Sequence, residues 1–207
     1  MLPKAMQDLS DKLKYFPGVG TRSSQKLALD LIHLSPDKYD ELIIAFNEAR
    51  NEVGFCSQCG FFAQKGKFCE ICNDKGRNKS QICLVEKPTD VISMEKSQVY
   101  RGYYHVLNAL ISPLDSIFAE NTRIGELFEH RINTLANIGN IELILFFKAG
   151  FAGEATTAYI KELIKDRNLT EKVKISKLAQ GLPMYYNPDT LDQATMARAL
   201  EDRRFIS

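Results

Sequence analysis

Hydrophobic positions in the first quarter of the chain recur at helical intervals. Leu2, Met6, Leu9, Leu13 and Phe16 step by four and three, the stripe of an amphipathic helix. Pro17-Gly18 stops it. Leu27, Leu31 and Leu34 form a second series after Gly20-Thr21. Ser35-Pro36 closes that helix and supplies a cap and a first-turn proline for a third, lined by Leu42, Phe46, Ala49 and Val53. Residues 1–54 therefore read as a small helical module with one tight Gly-rich hairpin.

From Cys56 to Ser80 the periodicity vanishes and Cys, Gly, Lys and Asn take over, as expected where a metal replaces a hydrophobic core. Beyond it, the runs Ile82–Val85, Tyr103–Leu107 and Ile141–Phe147 and the alternating Val173 and Ile175 predict strands. Helical patterns lie at about 89–96, 122–137, 153–166 and 189–202. Alternation of strand and helix predicts an α/β domain with a largely parallel sheet flanked by helices. The predicted organisation is a helical module (1–54), a knuckle (55–80), a sheet domain (81–180) and a C-terminal segment (181–207).

Composition narrows the function classes. A chain of 207 residues that is 44% hydrophobic can bury a core for one compact domain with small appendages. Its net charge is only +1, from 27 Lys and Arg against 26 Asp and Glu, so any contact with nucleic acid must be local. No apolar run approaches the roughly 20 residues that span a bilayer, and MLPKAMQDLSDK lacks the apolar core of a signal peptide. No membrane association and a cytoplasmic location are expected. In such a reducing compartment, four cysteines in two CxxC pairs point to metal rather than to disulfides.

Cys56-Ser57-Gln58-Cys59 and Cys69-Glu70-Ile71-Cys72 are nine residues apart, far enough for the intervening loop to fold back. Four thiolates then close a tetrahedral Zn2+ shell with no open position, so one structural zinc per chain is expected. Cys83, inside an apolar run, reads as a small buried hydrophobe. Gly18 and Gly20, between two helices, offer backbone N–H groups beside a helix N-terminus, a surface suited to phosphate oxygens. Arg22 and Lys26 lie four apart on one face of the helix that follows and reach the same backbone strand without reading bases. Lys65, Lys67, Lys75, Arg77 and Lys79 against Glu70 and Asp74 give residues 56–80 an excess of three positive charges, a second stretch of phosphate-binding surface or a solvated loop.

Glu86 follows the strand Ile82–Val85, at the end where open α/β sheets place chemistry. Only Glu154, beyond Lys148 and Gly150, is placed to assist it. Two carboxylates and a lysine make a poor magnesium cage, so the chain reads as a non-enzyme. His33, His105 and His130 stand apart and read as structural or surface residues, and no GxSxG nucleophile motif is present.

Taken together, these stretches resemble the RecR family of bacterial recombination mediators over nearly the whole chain. FPGVGTRSSQKLAL is similar to its helix-hairpin-helix signature, CSQC with CEIC to its four-cysteine zinc finger, and ICLVEKPTDVISME to the first strand and helix of its Toprim domain. YHVLNALISPLD, GEATTAYI, KLAQGLP and ATMARALEDRR also match family stretches. The resemblance implies a protein without catalytic turnover that acts at single-strand gaps in DNA. There it works with RecO, and sometimes RecF, to help RecA displace single-strand-binding protein. It implies homodimers or ring tetramers joined through the helical module and the C-terminal segment. Arg22 and Lys26 match the family's DNA-contacting positions, and Glu86 and Glu154 its RecO-linked acidic positions. A competing reading is a Toprim-type magnesium-dependent nuclease or primase-like enzyme using the same two glutamates. The chain departs from the family pattern at Lys148–Glu154, where Ala152 replaces an acid, and at Asn108-Ala109 and Tyr185-Tyr186, where the family has glycines. An acidic partner surface is correspondingly weaker here.

Overall fold

The computed structural model describes residues 2–148, 150–178, 192, 193 and 195–197. It divides into two compact units, with the boundary between Val53 and Gly54. The Tyr185-Tyr186 position and most of the helix expected at 189–202 lie outside the described residues; 193 and 195–197 are helical.

The first unit holds α1 (Lys4–Leu13), α2 (Thr21–Ile32) and α3 (Pro36–Glu52). Small residues let α1 and α2 approach closely: Ser24 and Ala28 are fully buried, and the Oγ atoms of Ser10 and Ser24 lie 2.9 Å apart. Because the Ser24 hydroxyl donates to Thr21 O at 2.9 Å, Ser10 is left to donate to Ser24. Two expectations need correction. Phe16 does not extend the α1 stripe, because the helix ends at Leu13 and Phe16 sits in the following turn, exposed. The stripe of α3 is not covered either: Leu42 is half-buried, Phe46 and Val53 are exposed, and no residue of α3 is buried. Pro36 occupies the first turn of α3 as expected, but the Ser35 side chain makes no capping bond.

A two-stranded ribbon starts at the boundary, β1 (Val53–Phe55) and β2 (Phe62–Gln64), followed in the second unit by the short α4 (Glu70–Asn73). A four-stranded sheet follows, built from β3 (Asn78–Val85), β4 (Gly102–Val106), β5 (Ile141–Phe146) and β6 (Val173–Lys177) in the order β4-β3-β5-β6. Every pairing is parallel, so each connection crosses over the sheet and both faces are covered. Between strands run α5 (Pro88–Glu95), a helix of α6 (Ile124–Leu127), a π turn (Phe128–Ile132) and α7 (Asn133–Leu135), and then α8 (Phe151–Asp166).

Strand β3 explains how two cores arise from one sheet. Successive side chains point to opposite faces, so Ile82 and Leu84 enter one core and Cys83 and Val85 the other. The first core adds Leu127, Phe128, Leu143 and Ile160. The second adds Val91, Tyr104 and Val106 and, from the knuckle, Cys56, Cys59, Cys69 and Ile71. The knuckle is thus one wall of a hydrophobic core, fixed by Val106 N–H donating to Cys59 O at 2.8 Å.

Candidate metal centre and nucleic-acid interface

The Gly18–Gly20 bend lies on the surface: Pro17, Gly18 and Gly20 are exposed and Val19 is half-buried. Its two glycines act differently. Gly18 adopts φ +83°, the left-handed region, whereas Gly20 is extended (φ −82°, ψ −179°) and precedes the first turn of α2. Val19 N–H is consumed by Phe16 O at 3.1 Å, so the bend does not present three consecutive amides. What remains open is the flank of the turn and the unpaired amides of the first turn of α2; a Cβ at either glycine would meet no atom within 4 Å. Arg22 and Lys26 are exposed. At about 100° per residue, they point roughly 160° away from Ser24 and Ala28, which face α1.

The cysteine motifs converge as their spacing predicts. Sγ atoms of Cys56, Cys59, Cys69 and Cys72 all lie within 4.8 Å of one another, and Cys59 and Cys69 are 3.5 Å apart. A tetrahedron with metal–sulfur bonds of about 2.3 Å has sulfur–sulfur edges of about 3.8 Å, so the set fits a four-thiolate metal ion. Amide donors aim at two of the sulfurs, Phe61 N–H to Cys59 and Cys72 N–H to Cys69, each at 3.4 Å. Four thiolates this close need a divalent cation between them, so deprotonation of the set and metal binding would go together.

At the carboxyl end of β3, Glu86 is half-buried and Lys87 Nζ is 3.8 Å from its Oε1. Glu154 is exposed in the first turn of α8. Among the described residues the only group of three or more metal-ligating side chains is the cysteine cluster. Lys148 and Gly150 flank Ala149, which lies outside the described residues.

Comparison with known proteins decides the family. Residues 80–179 match the Toprim domain. Recombination protein RecR of Streptomyces coelicolor is 38% identical over 206 residues, 100% of this chain and 99% of that protein. The RecR of Syntrophobacter fumaroxidans is 36% identical over 202 residues (98% and 96%), and that of Tropheryma whipplei 34% over 207 (100% of both). The chain belongs to the RecR family of recombination proteins.

Asn108, singled out in the sequence, takes φ +67°. The backbone conformation is therefore of the kind glycine adopts without penalty, and asparagine is the side chain that best tolerates it.

The structure also brings to the knuckle side chains that sequence reasoning missed. Arg131, in the π turn, is 4% exposed, and among the described residues no carboxylate pairs with it. Its Nη2 donates to Cys72 Sγ at 2.7 Å, and its guanidinium lies 4.8 Å from the centre of the Tyr103 ring. Four thiolates around a divalent ion would carry excess negative charge, and Arg131 is placed to face it as a buried counter-cation. Arg123 grips the knuckle from the same helix. Its Nη2 donates to Ser57 O at 3.3 Å, its Nε to Glu126 Oε2 at 3.0 Å, and it fills the space over Gly60, where a Cβ would fall 1.8 Å from Nη1. Gly60 also has φ +77°, so both conformation and room demand glycine there. No local motif marks either arginine.

Arg77 corrects the expected basic surface of the knuckle. Its side chain is 7% exposed and lies against Glu95 and Gly102 O, with Nη1 3.0 Å from each. Nη2 contacts the second oxygen of Glu95, Asp74 lies 3.6 Å from Nε, and Tyr104 donates to Glu95 at 2.7 Å. Arg77 is a structural pin. The exposed cations of the segment are Lys65, Lys67, Lys75 and Lys79. His105 and Cys83 are buried, as structural residues should be. His105 Nε2 bonds Arg123 O at 2.8 Å and burial lowers its pKa to about 4, while burial pushes the Cys83 thiol up to about 12.

Proposed function

We propose that this chain is a non-catalytic recombination mediator that holds DNA by its phosphates at single-strand gaps and, with RecO-like and RecF-like partners, helps to load RecA. The observation that carries this reading is the exposed Gly18–Gly20 bend at the start of α2, with Arg22 and Lys26 directed to solvent beside it. Membership of the RecR family supports the biological setting. In this reading, residues 1–54 form the helix-hairpin-helix module, 55–80 the zinc finger, 81–180 the Toprim-like domain and 181–207 an oligomer contact. Zinc is the ion suited to the four cysteines, since their closed thiolate set leaves no position for substrate. The uncovered apolar side of α3 supports self-assembly as a dimer or ring. Glu86 and Glu154 would then face a partner protein, and the location would be cytoplasmic.

Sequence-independent DNA affinity should fall steeply with salt, because each phosphate contact releases counterions. Arg22→Ala with Lys26→Ala should weaken binding to gapped DNA and flatten the salt slope by about one unit per lost contact. An unchanged slope removes the assigned surface. The position of Glu86 at the carboxyl end of β3 motivates one competing reading, a magnesium-dependent nuclease or primase-like enzyme. Cleavage or synthesis on gapped DNA with magnesium or manganese, abolished by Glu86→Gln, would replace the mediator reading.

A further inference from the structure

A cavity of about 190 Å3 opens beside the knuckle. Its hydrogen-bond donors come from separate elements: Gln58 from the knuckle, Lys79 from β3, His130 and Arg131 from the π turn and Thr134 from α7. Tyr103 and Leu135 supply apolar wall, and among the described residues no Asp or Glu lines it.

The donors are unspent. Arg131 is 4% exposed, and its one hydrogen bond runs from Nη2 to Cys72 Sγ. Its Nε is buried without a partner. Among the described residues the side chains of Gln58, Lys79, His130 and Thr134 make no hydrogen bond. A buried N–H without an acceptor is destabilising, so this arrangement stands open for a group that brings acceptors.

The lining selects that group. Arg and Lys side chains only donate, so the occupant must accept hydrogen bonds and carry negative charge; two fixed cations and no carboxylate exclude a metal ion. The volume is several times a water's share of about 30 Å3, but it falls short of the roughly 300–1,000 Å3 of clefts that bury a drug-sized ligand. A whole nucleotide is therefore too large. Donors that converge from four elements suit the several oxygens of a tetrahedral oxyanion better than the two of a planar carboxylate. Because the thiolates beyond Cys72 offset part of the positive charge, directed donors rather than surplus charge would set the affinity.

We propose that this cavity binds a single phosphate group, free or at the end of a strand, with Arg131 and Lys79 holding it and Gln58 and Thr134 orienting it. The site is separate from Arg22 and Lys26 and does not depend on the hairpin's role. Arg131 would serve two neighbours at once, the Cys72 sulfur through Nη2 and the phosphate through its remaining donors.

Isothermal titration calorimetry of the full, metal-loaded chain with inorganic phosphate, at ionic strength held by chloride, should show saturable binding of one phosphate per chain. The guanidinium NMR resonances of Arg131 should move with the same saturation. Lys79→Gln with Thr134→Val, both at exposed positions, should weaken binding about tenfold or more, since a charge-assisted hydrogen bond and a neutral one are lost together. Metal content and melting temperature should not change; if they do, Gln58→Ala carries the test, with a smaller loss in the same direction. A response that does not saturate in the parent, an affinity unchanged in these variants, or acetate bound as tightly as phosphate overturns the proposal. So does a loss seen instead in Arg22→Ala with Lys26→Ala, which would put the phosphate at the hairpin. Competing oligonucleotides identify the source. If a strand with a phosphorylated end displaces inorganic phosphate and the same strand with a hydroxyl end does not, the ligand is a strand end; if neither competes, it is the free ion. Equal displacement by both contradicts a site for one phosphate group.

Discussion

Arg22 and Lys26 on α2 carry the same charge as Arg77, Arg123 and Arg131 in the α/β unit, yet the two groups occupy opposite environments. The first pair stands in solvent on the side of α2 away from α1. The second group is withdrawn from water, with side chains 7% exposed for Arg77 and 14% for Arg123, and Arg131 4% exposed as a residue. Each spends donors on this chain: on Glu95 and Gly102 O, on Glu126 and Ser57 O, or on Cys72 Sγ. The lesson is that a cation is available to a polyanion only when the fold leaves its donors unspent. A count of basic residues along a segment does not measure this.

That contrast can be attacked from its largest effect on folding to its smallest. Stripping the metal with a strong chelator, or making Cys72→Ser, should unfold the knuckle, since structural zinc sites hold on the order of 10 kcal/mol of coupled binding and folding free energy. Limited proteolysis would then cut within residues 54–80, and a chelated protein still resistant there would show that the core, not the metal, holds the segment.

Arg77→Ala should cost about 2–3 kcal/mol in chemical denaturation, because Glu95 and Gly102 O lose their donor together. The same change should alter the response to acid. Burial raises the Glu95 carboxyl, but hydrogen bonds from Arg77 and Tyr104 more than offset it and the net shift is downward. A carboxylate with a depressed folded pKa stabilises the protein above its unfolded value and loses that contribution as pH falls through the folded one. In Arg77→Ala the loss should therefore begin at higher pH. Superimposable acid-denaturation curves would mean that Glu95 does not depend on Arg77.

Arg131→Met keeps the bulk and removes the buried donor to Cys72, and should weaken zinc retention about 10- to 100-fold in chelator competition, the usual scale for a group that orients a ligand. An unchanged retention would reduce Arg131 to a packing residue. At the other extreme, Arg22→Ala with Lys26→Ala should leave the denaturation midpoint where it was, since both side chains are exposed and no hydrogen bond or ion pair of either is seen among the described residues. A large loss of stability there would end the distinction between the two groups.

The secondary structure was largely legible because its signals are local. The run Ile82–Val85 is apolar at every position because β3 is central and covered on both faces. The helix pattern over residues 122–137 corresponds to α6, the π turn and α7, although no periodicity announced the π turn that carries Arg131. The cysteine cluster was legible too, because two CxxC pairs at this spacing form a ligand set that local sequence alone reveals. Arg77, Arg123 and Arg131 were not legible in their roles. Their partners lie 18 residues away for Glu95, 66 for Ser57 and 59 for Cys72, and contacts over such separations leave no periodic trace.

By itself, then, the sequence determined the order of helices and strands, the convergence of four sulfurs and the likeness to a family, all of which depend on residue types at short spacings. Only the tertiary structure decided which cations face water, which glycine needs a left-handed backbone and which donors beside the knuckle stay unspent. These are properties of what each side chain meets after the chain has folded back on itself, and accessibility and pairing are set by neighbours that are distant along the chain.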